Sequence, residues 1–285
     1  MEIIISMVLY NNTFHEIEPI LKELNKVRLK KRICIVDNSQ NSLNESLLSK
    51  FAIEYIKTGK NLGFGKGHNI VFRKYIEKSE IFLILNPDIF IEAKHIEKAY
   101  NFMINNKEIG ILAPKVLHNT EEYHLSSTCH LIPTPFNLFS KRFFPNFFKK
   151  SIDFYNLEAM KKEQIQFVPN LSGCCLFISS NAFKKVGYFD ERFFLYMEDV
   201  DFVRRVAKYF YTIYFPEIEA LHKRASLSYR KIKYLLIHLI SAIKYFNKWG
   251  WFFDRERDKI NKKTLSLLNN FNYKVKEEFN EEKFD

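Results

Sequence analysis

Between Phe189 and Phe202 the sequence FDERFFLYMEDVDF sets Asp190, Glu191, Glu198, Asp199 and Asp201 among a row of aromatic and aliphatic side chains. Carboxylates beside Phe193, Phe194, Leu195, Tyr196 and Met197 are costly to desolvate unless they meet a cation or a proton about to move. The pattern therefore points to acid–base chemistry, with Asp88 expected to join from elsewhere in the chain. Glu198, Asp199 and Asp201 open a helix that continues through VRRVAKYF, where acids in the first turn also suit the helix dipole. That structural role is available to Glu198 and Asp201. Asp199 is the candidate general base, because crowded carboxylates raise one another's pKa and a base must be poised to accept a proton.

Three further groups could bind a ligand. Asn86-Pro87-Asp88 ends a strongly apolar run. The proline fixes the turn and holds Asp88 outside the sheet, where a carboxylate suits a divalent cation bridging to a diphosphate. His222, in ALHKRAS after the apolar run YTIYFP, could complete such a shell as a neutral imidazole. Asp37 closes ICIVD and precedes Asn38 and Ser39. Its carboxylate could accept from a pyrimidine ring N–H or ribose hydroxyls, or could cap a turn. NLGFGKGHN, from Asn61 to Asn69, enters a helix whose N-terminal amides favour phosphate, and glycine allows close backbone approach. It lacks both the dinucleotide fingerprint and the GK[ST] of a nucleotide-triphosphate loop, so a tight turn is the competing reading.

These groups need elements to hold them. IIISMVL, ICIVD, IEYIKT and IFLILNPD read as buried strands. Helical patterns lie between them at about His15 to Asn25, Leu43 to Lys50 and Lys66 to Ile76. Strand–helix alternation predicts an α/β fold, a mostly parallel sheet flanked by helices, with ligands beyond the carboxyl ends of the strands. Asn11, Asp37 and Asp88 end the first, second and fourth strands. From Leu117 to Glu163 the pattern is irregular, and LIPTPFNLFSKRFFPNFFKK reads as a mobile or membrane-facing insertion. FVPNLSGCCLFISS returns to a sheet, and a helix follows from Asn181. From about Tyr229 to Asn247, Ile232, Leu235, Leu236, Leu239, Ile240, Ile243 and Phe246 recur at helical spacing.

With 285 residues and 47% hydrophobic content, the chain can bury one large domain with a helical appendage. Its net charge of +11 favours an anionic partner. The basic residues are scattered among acids and form no recognition motif, which argues against nucleic acid. No apolar run is long enough to span a bilayer. The opening MEIIISMVLY has no basic n-region and reads as a strand rather than a signal peptide. Cys34, Cys129, Cys174 and Cys175 show neither zinc spacing nor a secreted framework, so reduced thiols and a cytoplasmic location are expected.

Taken in order, the strand ending in Tyr10-Asn11, VDNS, NLGFGKGHN, LNPD, SGCCLFI, FDERFFLYMEDVDF and LHKRAS resemble the family 2 glycosyltransferases. The fold of that family, called GT-A, is a Rossmann-like sheet that binds nucleotide sugars. The branch it resembles is the rhamnosyltransferase-like one of bacterial O-antigen and capsule synthesis. YFNKWGWFFDRERDKIN also resembles the C-terminal part of such enzymes. The resemblance implies a catalytic domain over residues 1–226 and a C-terminal helical extension over 227–285. It implies an inverting, metal-dependent transfer of a sugar, L-rhamnose from TDP-rhamnose or else a hexose from a UDP-sugar, to a lipid-linked or oligosaccharide acceptor. Asp199 would be the general base beside Glu198, and Asp88 and His222 would hold Mg²⁺ or Mn²⁺. Tyr10, Asn11, Asp37, Asn38, Asn61, Gly63, Gly65, Gly67, Asn69 and Asn86 would line the nucleotide-sugar site. Asn86 stands where the family's metal motif begins with an acid, and LHKRAS departs from the branch's more Gly-rich form. The segment Phe136 to Lys150 and the helix from Tyr229 would rest on anionic lipid at the inner membrane face. Alternatively, that helix packs on the catalytic domain or on a second subunit in a homodimer. A sugar-phosphate nucleotidyltransferase is a rival reading. It is opposed by Tyr10-Asn11-Asn12-Thr13, where such an enzyme carries a Gly-rich basic signature.

Overall fold

The computed structural model describes residues 2–118, 128–222 and 232–271. The elements run β1 (Glu2–Leu9), α1 (Phe14–Lys26), β2 (Lys31–Asp37), α2 (Glu45–Leu48), β3 (Ile53–Lys57), α3 (Phe64–Tyr75), β4 (Ser79–Leu85), β5 (Ile89–Ile91), α4 (Ala93–Asn105) and β6 (Ile109–His118). After the first break come β7 (Cys129–His130), α5 (Pro135–Phe143), α6 (Lys149–Tyr155), β8 (Gln166–Phe167), β9 (Asn170–Leu171), β10 (Cys175–Ser179), α7 (Ser180–Val186), α8 (Glu198–Ala207) and β11 (Tyr211–His222). The helices α9 (Ile232–Trp249) and α10 (Arg255–Leu267) complete the described chain.

The strand β1 is apolar on both faces because the sheet is covered on both sides, as parallel sheets require. In α1, Ile17, Ile20, Leu21 and Leu24 fall on one stripe and pack on that sheet with Ile96, Ala99 and Met103 of α4. The opposite face is covered by Val71 and Phe72 of α3, Ala182 and Phe183 of α7, and Phe202, Val203 and Val206 of α8. A third cluster joins Phe193 and Met197 to Tyr245, Phe246 and Ile260 of the C-terminal helices.

The strand order is β3-β2-β1-β4-β10-β6-β11-β5, with β8 paired to β11. The half from β3 to β4 is parallel throughout. The other half is mixed, since β10 runs antiparallel to both β4 and β6, and β5 antiparallel to β11. This reversal positions the site. Cys175 pairs with Leu85, so Gly173 and Cys174 enter the sheet at the edge where β4 leaves it toward Asp88. His222, the last residue of β11, pairs with Ile89 at the same edge.

The segment Phe136 to Lys150, read from the sequence as irregular, is largely helical. It contains α5, begun by Pro135 and capped by the Thr134 hydroxyl at the Asn137 N–H (3.1 Å), and the start of α6. The helix expected from Tyr229 is described from Ile232. Residues 223–231, which include the rest of LHKRAS, and the charged tail from residue 272 lie outside the described residues.

Candidate active site

At the edge where β4 ends, Asp88 and His222 meet: Oδ2 and Nε2 are 3.1 Å apart, and both side chains are partly exposed. Among the described residues no group of three or more metal-ligating side chains forms. One carboxylate and one imidazole fit a divalent cation whose remaining ligands are diphosphate oxygens and water.

The Asn86 N–H donates to the Cys174 carbonyl (2.9 Å), and one residue earlier the Gly173 N–H donates to Asp199 Oδ2 (3.0 Å). A two-residue stretch of backbone thus ties the Asp88 turn to the candidate base. Burial pushes the Cys174 thiol up to about 11; a hydrogen bond to Ser172 offsets part of that rise, and the charges of Asp88 and Asp199 each add a smaller one, so both carboxylates act on one sulfur. A β-carbon on Gly173 would stand 3.2 Å from that of Asp199, so glycine is what allows this close approach. The other Asp199 oxygen accepts from the Val200 N–H (2.8 Å). Burial raises the Asp199 pKa above the ordinary carboxylate value, and those two amides offset part of the rise. Lone pairs remain on both oxygens toward a cavity of about 260 Å³.

The wall facing Asp199 carries His130, Lys141, Arg142 and His238. Lys141 donates to Asn156 Oδ1 (3.0 Å) and lies 2.9 Å from His130 Nε2. Burial drives its pKa down to about 8. His238 is lowered by burial and then by Arg142 and Lys141. Just before Asp199, Tyr196 and Met197 both adopt φ of +67°, a left-handed conformation rare for bulky residues. Their loop is held by α9: the Ser241 hydroxyl donates to the Leu195 carbonyl (2.8 Å), and Tyr196 lies against His238. Behind it, the fully buried Asp201 accepts from Lys248 Nζ (2.5 Å), Trp249 Nε1 (2.8 Å) and Arg205 Nε (2.9 Å). Arg204 forms a bidentate pair with Asp254 (2.6 Å for each bond) and stacks over Trp249.

The expected nucleotide-site residues divide. Tyr10 is exposed beside Asn11, whose φ is +57° and whose N–H donates to Ser39 Oγ (2.8 Å). Asn86 is partly exposed. Asp37 is buried and accepts from the Ser39 N–H (2.9 Å), the Leu43 N–H (3.2 Å) and the Tyr55 hydroxyl. Burial would raise its pKa, but these donors outweigh it and hold the carboxyl below the usual range. Asp37 therefore organises its loop as an ionised acceptor. Asn38 is buried too, bonding the Gly63 carbonyl (3.0 Å) and Thr58.

The glycines and Asn69 correct the phosphate-loop expectation. Asn61 Oδ1 accepts from the Gly63 N–H (2.9 Å) to shape the turn. Gly63, at φ +85°, lies where a β-carbon would meet the Phe194 carbonyl, and Gly65 and Gly67 press on Phe189 and Val8. Asn69 is fully buried and clamps Phe189 through both its amide nitrogen (2.9 Å) and its oxygen (3.1 Å). Gly63, Gly65 and Asn69 thus pack α3 against the acidic loop, and Gly67 packs it against β1. Glu198 is likewise corrected: it is buried, Oε2 has no hydrogen-bond partner among the described residues, and burial and Asp199 raise its pKa well above normal. It packs under Gly65, and Asp199 alone of the pair lines the cavity. The sequence reading missed Gly173, His130 and His238 as site residues and gave Lys141 and Arg142 only a lipid-facing role.

The model of the family described as "Glycosyl transferase family 2" matches residues 4–187. A hexosyltransferase of low-salt glycan biosynthesis, Agl10 from Haloferax volcanii, is 28% identical over 176 residues, covering 61% of this chain and 52% of that protein. An N-acetylglucosaminyl-diphospho-decaprenol L-rhamnosyltransferase from Mycobacterium tuberculosis is 50% identical over 56 residues, 19% of this chain and 18% of that one. The chain thus spans about half the length of the first of these curated relatives and under a fifth of the second. Among solved structures, S. aureus TarS 1-349 in complex with UDP superposes with a TM-score of 0.55 at 14% identity, covering 94% of this chain and 71% of TarS 1-349. The mannosyltransferase PcManGT from Pyrobaculum calidifontis, in complex with GDP-Man and Mn²⁺, gives 0.56 at 14% identity over 93% of this chain and 74% of its own. At that identity the likeness establishes the fold, GT-A, with two further helices at the C-terminal end.

Proposed function

The chain belongs to glycosyl transferase family 2, and from that premise we propose that it moves a sugar from a nucleotide-sugar donor to an acceptor hydroxyl with inversion at the anomeric carbon. The observation that carries this reading is the Gly173–Cys174 backbone, which joins the Asp88 turn to Asp199. This link supports reading the Asp88 edge as the diphosphate side and Asp199 as the base.

In this reaction Asp199 takes the proton of the acceptor hydroxyl. The oxygen bonds to the anomeric carbon on one face while the bond to the nucleoside diphosphate breaks on the other. No covalent sugar intermediate is needed. The raised pKa of Asp199 makes it a stronger base than an exposed aspartate, and the Gly173 and Val200 amides keep its carboxylate aimed. Asp88 and His222 would hold Mg²⁺ or Mn²⁺, which when bound neutralises charge on the departing diphosphate. Tyr10, Asn11 and Asn86 border the donor.

The donor sugar is L-rhamnose from TDP-rhamnose, a reading supported by the short match to the mycobacterial rhamnosyltransferase. A UDP-hexose is the second reading, favoured by the longer match to a hexosyltransferase. The acceptor is a lipid-linked glycan, in keeping with the diphospho-lipid in the rhamnosyltransferase's name. No described helix is long and apolar enough to cross a membrane, and the enzyme meets its acceptor at the membrane surface. The division into a catalytic domain (1–226) and a helical extension (227–285) belongs to the same reading.

Release of nucleoside diphosphate from a panel of TDP- and UDP-sugars, with and without Mn²⁺ or Mg²⁺, tests the proposal. Metal-dependent release from one donor, lost in Asp199→Asn and Asp88→Ala, is the expected result. A donor that binds and turns over equally well in both variants would overturn the site.

A further inference from the structure

Beside the Asp199 cavity runs a second one, about 480 Å³ in volume, between α5 and α9 and closed at one end by Trp251. Its walls are almost wholly apolar. Phe139 and Phe143 of α5 and Leu236 and Leu239 of α9 are each a little over half exposed. Such a contiguous exposed apolar surface marks a binding site more often than chance.

The two cavities adjoin and share a wall. Leu138 and Arg142, one turn apart on α5, and Leu235 and His238 on α9 line both. The passage from groove to base is therefore flanked by Arg142 and His238, with Lys141 just inside. Among the described residues lining either cavity, Asp199 is the only acid. An apolar trough leading through a cationic throat to a general base matches one kind of molecule. It has a long hydrocarbon chain, an anionic linker and a sugar hydroxyl, in that order.

We infer that the α5–α9 groove binds the hydrocarbon chain of a polyprenyl-type lipid, that Lys141, Arg142 and His238 receive its phosphate or diphosphate linker, and that the attached sugar thereby reaches Asp199. The inference rests on the lipid-linked acceptor proposed above and assigns it a site. A second copy of this chain suits the groove less well, since a protein surface seated there would have to bring an anion into the throat. A flat membrane surface would not fill a cleft between two helices that opens inward onto the base.

The probe is farnesyl diphosphate below its micelle concentration, titrated into the full chain in EDTA so that the metal-dependent donor edge does not compete. The fluorescence of Trp251 reports groove occupancy, and calorimetry reports affinity. Saturable binding is expected, at least tenfold tighter than farnesol or inorganic pyrophosphate, and weakened at least tenfold by either Leu239→Glu or Arg142→Gln. Leu239 is on the surface, so its variant keeps the fold, which circular dichroism checks. Pyrophosphate binding as tightly as farnesyl diphosphate, affinity unchanged in both variants, or no binding would each overturn the inference. Nucleoside diphosphate binding with Mn²⁺ is measured on the same samples. If it persists while farnesyl diphosphate fails to bind, the groove is wrong and the transferase reading stands. If it is absent while farnesyl diphosphate binds as expected, the groove stands and the donor assignment is wrong.

Discussion

The end of this cleft proposed for the nucleotide and the end proposed for the acceptor are built on opposite plans. At the nucleotide end, polar groups are spent on one another: Asp37 on its loop, Asn38 on Gly63 and Thr58, Asn69 on Phe189. Exposed or partly exposed at this end are Tyr10, Asn11, Asn86 and the Asp88–His222 pair. At the acceptor end, Lys141, Arg142, His238 and Asp199 all border open cavity. The first plan yields a rigid seat for a ligand chemistry common to many donors. The second concentrates charge around Asp199, where the proposed acceptor would be recognised.

The largest expected effect separates the two ends outright. Asp199→Asn should lower kcat about 10²–10⁴-fold, the usual contribution of a positioned base. Nucleoside diphosphate affinity by calorimetry should stay unchanged, and a parallel loss of binding would show that the ends are not separable. Next in size is the brace behind the base. Arg204→Leu leaves Asp254 buried without its bidentate cation, a loss of about 3–5 kcal/mol in urea unfolding. Tyr55→Phe, which removes one of several donors to Asp37, should cost only about 1 kcal/mol. Equal costs would erase the contrast between a redundant network and a single buried pair.

The same substitution can then be placed at both ends. Gly67→Ala pushes a β-carbon to 2.9 Å from Val8 and should cost about 1–3 kcal/mol of stability while sparing kcat. Gly173→Ala displaces Asp199 and should lower kcat about 10²-fold with little change in stability. The smallest effect is electrostatic. Lys141, with its pKa lowered to about 8, is charged below that pH and neutral above it. The KM for an anionic acceptor should therefore rise several-fold above pH 8, and Lys141→Arg should remove that limb. A limb that persists in the arginine variant would assign it to another group.

The parallel half was legible because its strands are continuous apolar runs and its helices carry clean three- and four-residue stripes, as in α1. The placement of Asp88, Asp199 and His222 was legible because they sit just after a strand, at a helix start and at a strand end, where the chain turns at one edge of the sheet. The glycines were misread because the groups they accommodate, Phe194 and Phe189, lie far away in sequence and reach them only through the tertiary fold. Glu198 and Asp199 are adjacent on a helix, so only the direction each one points separates a buried acid from one that lines the cavity. In α5 Phe136, Phe139 and Phe143 recur at helical steps, but the inward aim of Lys141 rests on His130 and Asn156, which only the tertiary fold brings beside it.

The paired left-handed residues Tyr196 and Met197 have a consequence of their own. Each conformation costs of order 1–3 kcal/mol, so the segment that presents Asp199 is a cocked latch, and the Ser241 hydroxyl on α9 is its catch. The same helix walls the acceptor groove. Drift in α9 could retune which acceptors are admitted and whether the latch stays set, leaving the nucleotide seat as it is. In such a molecule, new specificities would arise by altering one helix instead of rebuilding the sheet.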